Sequence, residues 1–153
     1  MEGLRIEKKK IRVVLFLREG EKRTGHVFLS PSSRYHEGRE TVLEFFNDEN
    51  SFFAFGTEEG VEFLNKKHVL MVEVEDVQEE RFCFCPGSRM EKVKIVMVDG
   101  REIEGEIGIE RVPYRMRLLD FLNLSETFFP VKTQKGIFIV NREHIKGVHP
   151  WQK

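Results

Sequence analysis

Arginines beside an aromatic ring are the first residues in this chain whose types and spacing could do chemistry. Arg111, Arg115 and Arg117 lie together with Tyr114 among them, and earlier Arg34 and Arg39 bracket Tyr35 and His36. A guanidinium presents a planar fork of donors to phosphate or carboxylate and stacks on flat rings. The candidate ligand-binding set is therefore Arg34, Tyr35, Arg39, Arg111, Tyr114, Arg115 and Arg117. The occupant these residues suit is a protein or a small anionic ligand. The competing account is a solvated basic loop balanced by Glu37, Glu40 and Glu110.

Two histidines recur. His68 and His144 each stand three residues after an asparagine, Asn65 and Asn141. An imidazole can titrate near neutrality or ligate a metal. No Ser or Cys recurs with it, so a nucleophile–base pair is not implied. A histidine held by a turn at the mouth of a strand is the simpler reading. Cys83 and Cys85 form a lone C-x-C, half of what a structural zinc needs. Two reduced thiols in an aromatic linker strand are expected, with no metal, cofactor or catalytic residue.

The elements that must position these groups follow from an internal repeat. At an offset of 76, Arg39 to Val72 and Arg115 to Val148 share eleven identities in 34 positions without a gap. They include Leu43/Leu119, Phe45/Phe121, Asn47/Asn123, Phe52/Phe128, Phe53/Phe129, Gly60/Gly136, Asn65/Asn141 and His68/His144. Upstream the offset becomes 80, pairing Val13/Val93, Gly20/Gly100 and Gly25/Gly105.

Each copy reads β-β-α-β-β-β. Val13, Leu15 and Leu17, like Val93, Ile95 and Met97, alternate at period two and predict a first strand. Asp99-Gly100 predicts a hairpin turn whose two central residues both have positive φ. Gly25 and Gly105 inside the second strand predict a sharp bend. Val42, Leu43, Phe45 and Phe46, and Leu118, Leu119, Phe121 and Leu122, form one apolar face of a short helix. Glu44 and Asp120 should then point to water, and Asn47 and Asn123 should end the helix in a left-handed conformation. Three strand-like segments complete each copy.

The fold class expected is mostly β: two tandem small SH3-like or Sm-like barrels, residues 1–75 and 92–153, joined by a linker at 76–91. Neither unit of roughly 60 residues has much core alone, so packing of the two is expected.

Two resemblances follow. Arg117-Leu118-Leu119-Asp120-Phe121-Leu122-Asn123 and Val140-Asn141-Arg142-Glu143-His144-Ile145 resemble an uncharacterised family of bacterial small β-barrel domains. That resemblance implies a fold and no activity. Val96 to Ile107, VMVDGREIEGEI, is similar to the first signature of Sm-like RNA-binding barrels. There, an Asp and an Asn in the next loop hold a base; here Asp120 and Asn123 are three apart where that family has four. The second Sm signature, an Arg-Gly turn, is replaced by Asn141-Arg142-Glu143-His144. The resemblance implies small-barrel geometry, with RNA binding as an alternative function.

Composition bounds the partners. Charged residues make up 33% of the chain but the formal net charge is −1, so no global field draws in nucleic acid or an anionic membrane. No apolar run is long enough for a transmembrane helix. The charged start MEGLRIEKKK lacks the apolar core of a secretory signal. A soluble cytoplasmic protein is expected, with a thermophile-like richness in Lys, Arg and Glu. The functional expectation is a non-catalytic interaction or regulatory module using loops 30–39 and 110–117, with a homo-oligomer left open. The alternatives are an Sm-like RNA-binding protein and a small enzyme using His68 or His144.

Overall fold

The computed structural model describes residues 7–110 and 116–151. The chain runs β1 (Lys9–Leu17), β2 (Lys22–Leu29), α1 (Val42–Asn47), β3 (Phe52–Thr57), β4 (Gly60–Asn65) and β5 (Val69–Val74). After α2 (Glu80–Cys83) it runs β6 (Arg89–Met97), β7 (Glu102–Ile109), α3 (Leu118–Leu122), β8 (Phe128–Thr133), β9 (Gly136–Asn141) and β10 (Ile145–Pro150). The fold is mostly β, as the alternating segments predict.

All ten strands belong to one antiparallel sheet, in the order β10-β6-β7-β8-β9-β5-β1-β2-β3-β4. The two halves occupy its two ends and meet where β5 pairs with β9, from Met71↔Val140 to Val74↔Ile137. Within each half the order is the same: fifth strand, first, second, third, fourth. The registers match too. Lys9 faces Leu29 where Arg89 faces Ile109, and Val13 faces Val74 where Val93 faces Pro150.

Each half packs a core of its own. On β1, Val13 and Leu15 enter the first core, with Val27 and Leu29 of β2, Phe55 of β3, and Val42 and Phe46 of α1. In the second core Val93, Ile95, Ile107, Ile109 and Val131 take the corresponding places around Phe121 of α3. The middle of the sheet serves both: Val14 and Phe16 point into the second core, and Ile137 and Ile139 of β9 point into the first. Such strands are apolar on both faces.

Gly25 and Gly105 mark the close crossing of the second and third strands. A Cβ on Gly25 would lie 2.3 Å from the Gly56 carbonyl, and one on Gly105 would lie 2.6 Å from that of Lys132. Only glycine lets the backbones approach so far, and pairing between these strands is confined to His26↔Gly56 and Glu106↔Lys132.

Several local expectations change. In the Asp99-Gly100 turn only Gly100 has positive φ (93°). The Asp99 carboxylate instead accepts from the Arg101 N–H (3.0 Å), and Met97 closes the loop on the Arg101 carbonyl. Glu44 does not point to water: it completes a capping box with Thr41 and accepts from the Ser33 hydroxyl. Asp120 caps its helix likewise through the Arg117 N–H (3.0 Å). Neither Asn47 nor Asn123 is left-handed. Asn47 remains within α1, and Asn123 caps α3 with φ −97°.

The linker, expected as a strand, contains the short helix α2, and it is anchored. Phe82 stacks on His36 (4.5 Å, 10°), Cys83 and Phe84 pack on the first core, and Glu79 is fully buried. Trp151 is half in solvent but donates its N–H to the Lys92 carbonyl.

Candidate interaction surfaces

The segment after β2 is tied down by short polar contacts that leave its tip outward. The Ser30 N–H donates to the Glu40 carboxylate (3.0 Å), and the Ser33 hydroxyl bonds Glu44 and accepts from the Tyr35 N–H. This fixes Arg34 and Tyr35 in solvent, with Tyr35 77% exposed. His36 faces inward between Phe82 and Glu44, with its Nε2 3.3 Å from a Glu44 oxygen.

Arg39 turns the other way. It is 8% exposed and binds Asp76 (3.0 Å), Glu79 (3.3 Å) and the Glu40 carbonyl (2.8 Å). Glu79 also accepts from the Leu43 N–H at the start of α1 (3.1 Å). Desolvation pushes the Glu79 carboxyl above its usual range, against the opposing pull of the Leu43 N–H and the Arg39 charge. Arg39 therefore locks the linker to α1, where a ligand-binding role was expected of it.

Arg117 stays at the surface, its side chain 74% exposed. Its guanidinium grips both Asp120 oxygens (3.0 and 3.1 Å) on the exposed start of α3. These bonds hold the Asp120 carboxyl below its usual range. Arg111, Tyr114 and Arg115 lie outside the described residues. The structure thus places Arg34 and Tyr35 together on one rim, buries Arg39 in an ion-pair cluster, and leaves Arg117 exposed beside Asp120.

Beside α1 that rim borders an open groove of about 950 Å³. Glu40, Glu44, Asp48 and Glu49 line it from the first half and Glu126 from the second, against Lys8 and Arg34 as cations. Glu40, Glu44 and Asp48 are engaged by their own chain. The carboxylates of Glu49 and Glu126 make no hydrogen bond or ion pair among the described residues.

Three of the recurring polar residues bridge the seam between the halves, and Asn47 among them also lines the groove. Asn47 of α1 donates to the Phe128 carbonyl (2.9 Å) and accepts from the Phe128 N–H (2.8 Å), as a neighbouring strand would. Asn141, 1% exposed, donates to the Val69 carbonyl (2.9 Å) and accepts from the Glu143 N–H. His144 Nε2 lies 2.6 Å from the Lys67 carbonyl. His68, by contrast, is exposed.

A sequence signal for this seam exists. β9 reads Ile-Phe-Ile-Val, apolar without interruption, whereas β4 reads Val-Glu-Phe-Leu. The first pattern suits a strand covered on both faces and the second an edge.

Cys83 and Cys85 are both free. Burial, with the nearby Glu79 carboxylate, pushes the Cys83 thiol up. Cys85 is raised chiefly by its hydrogen bond to Glu110. Among the described residues no group of three or more His, Cys, Asp or Glu side chains could hold a metal ion, and no helix is long and apolar enough to cross a membrane. No protein-family model, curated protein or solved structure matches the chain.

Proposed function

We propose that the chain is a non-catalytic interaction module built as two tandem small barrels, 1–75 and 92–153, joined by an anchored linker at 76–91. The repeated strand order and the separate helix-plugged cores support the barrel reading. The groove beside α1 is its binding surface, and its occupant is a protein that presents a basic segment.

The carboxylate lining carries this choice. Of the two occupants expected from the arginines, a protein or a small anion, the anion would meet the unengaged carboxylates of Glu49 and Glu126 beside three that the chain already engages, against Lys8 and Arg34. Glu49 and Glu126 are positioned to receive lysine or arginine, and Tyr35 offers an exposed ring for stacking. An RNA phosphate would meet the same repulsion as a small anion. His144 is held at the seam by the Lys67 carbonyl and His68 lies exposed away from the groove, which favours the non-catalytic reading.

The test is fluorescence anisotropy with a labelled Lys/Arg-rich peptide, an acidic peptide and a uridine oligonucleotide, at low and raised salt. The basic peptide should bind, weaken with salt, and be lost in the Glu49→Lys/Glu126→Lys double variant. Failure of the basic peptide to bind at low salt would remove the proposal. Saturable, salt-sensitive oligonucleotide binding would favour the Sm-like alternative.

A further inference from the structure

The chain makes a contact internally whose two faces it also carries, unpaired, at its ends. At the seam β5 receives β9. By the sequence repeat, β10 corresponds to β5 and β4 to β9. Among the described residues β10 pairs only with β6, and β4 only with β3, so they are the two terminal strands of the sheet. One end is thus a second copy of the receiving edge and the other a second copy of the inserted strand.

Exposure marks the difference between the used contact and the unused one. Phe128, Ile137 and Ile139 are 1%, 3% and 0% exposed because they enter the first core. Their counterparts Phe52, Val61 and Phe63 are 59%, 56% and 74% exposed. On the receiving side Val69 and Val72 are buried, while their counterparts Ile145 and Val148 are only half-buried.

The polar contacts repeat in the same way. Asn47, Asn141 and His144 bond backbone across the seam. Their counterparts Asn123, Asn65 and His68 stand at the free ends, with Asn123 folded back on its own helix at the Leu119 carbonyl. The recurring Asn and His residues thus complete a contact at one position and stand ready for it at the other.

We propose that β10 of one molecule receives β4 of a second copy of this chain, antiparallel and in the register of the internal seam. Gly147 then faces Leu64, Val148 faces Phe63, His149 faces Glu62 and Pro150 faces Val61. Asn123 takes the Phe52 backbone as Asn47 takes that of Phe128. The contact is head-to-tail, so its repetition closes a ring or extends a filament. Pro150 can accept at its position but not donate, so this ladder is shorter by a bond than its internal template. Val74 holds the corresponding place at the seam. The proposal is independent of the groove.

Sedimentation velocity on the full chain over a concentration series tests it. The wild type should associate with rising concentration. Phe63→Lys alters a side chain already in solvent, so it should fold normally and weaken association about 30-fold or more. Asn123→Lys, also exposed, blocks the other face. Mixed in equal amounts, these two variants should form a dimer and nothing larger, because each retains the face the other lacks. Pro150→Val should move association to lower concentration. A wild type that stays monomeric up to its solubility limit would overturn the proposal. So would self-association unchanged in Phe63→Lys, or a variant mixture that remains monomeric.

Discussion

Asn141 and Asn65 occupy equivalent turns, and replacing each with alanine isolates what the seam contributes. In both, the side-chain oxygen accepts from the N–H two residues on, that of Glu143 or Lys67 (2.9 Å each). Loss of such a cap costs about 0.5–2 kcal/mol. Only Asn141 also donates across the seam, to the buried Val69 carbonyl. Orphaning that acceptor adds about 1–3 kcal/mol, because no water replaces the lost donor. Asn141→Ala should therefore destabilise the protein by about 1–3 kcal/mol more than Asn65→Ala. Urea unfolding of both variants, at protein concentrations low enough to suppress association, measures the difference. Equal losses within about 0.5 kcal/mol would refute the reasoning, since the seam bond would then contribute nothing beyond the cap.

Three further outcomes follow from the geometry. The raised Glu79 pKa means that the folded state holds this proton more tightly than the unfolded chain; the group's contribution is complete below the ordinary carboxylate value and is lost as pH rises through the raised one. Urea unfolding across the mildly acidic range should show Glu79→Gln gaining on the wild type as pH rises, and parallel curves would contradict this. Gly25→Ala forces a methyl onto the Gly56 carbonyl and the Phe55 ring, so thermal or urea unfolding should show a loss of about 1–3 kcal/mol. Iodoacetamide labelling followed by mass spectrometry should find Cys85, which is exposed, modified faster in the native protein than the half-buried Cys83, whose thiol is pushed up by burial, and unfolding should remove the difference.

The strands and helices were legible because their signals are local. Alternation at Val13-Leu15-Leu17 and the i, i+4 spacing of Val42 and Phe46 each fix a buried face whatever the partner, whereas Leu119, expected on the apolar face with Phe121, is 59% exposed. The repeat carried this reading from one half to the other. What the sequence did not disclose depends on partners far along the chain. Arg39 carries the same signature as a phosphate-binding arginine until Asp76 and Glu79 are brought to it by the fold. Glu79 sits in a polar run and has no periodicity to announce its burial.

The helix caps are hard to read from sequence for a different reason. The helical face alone points Glu44 and Asp120 to water, yet both stand at the third helical position, where a carboxylate reaches back to the cap N–H. Spacing marks the recurring Asn and His as turn residues, and Asn65 and Asn141 are that. Their seam role was hidden because each turn uses only part of the side chain. The contrast between the apolar run of β9 and the interrupted pattern of β4 could have exposed it.

Hydrogen–deuterium exchange, followed segment by segment as protein concentration is raised, bears most directly on the claim that one contact is written twice. At low concentration the backbone of 136–141 should be protected and that of 60–65 and 145–150 should exchange faster. With rising concentration those two end segments should slow together while 136–141 stays as it was. Equal protection of 60–65 and 136–141 at low concentration, or slowing of one end without the other, would contradict it.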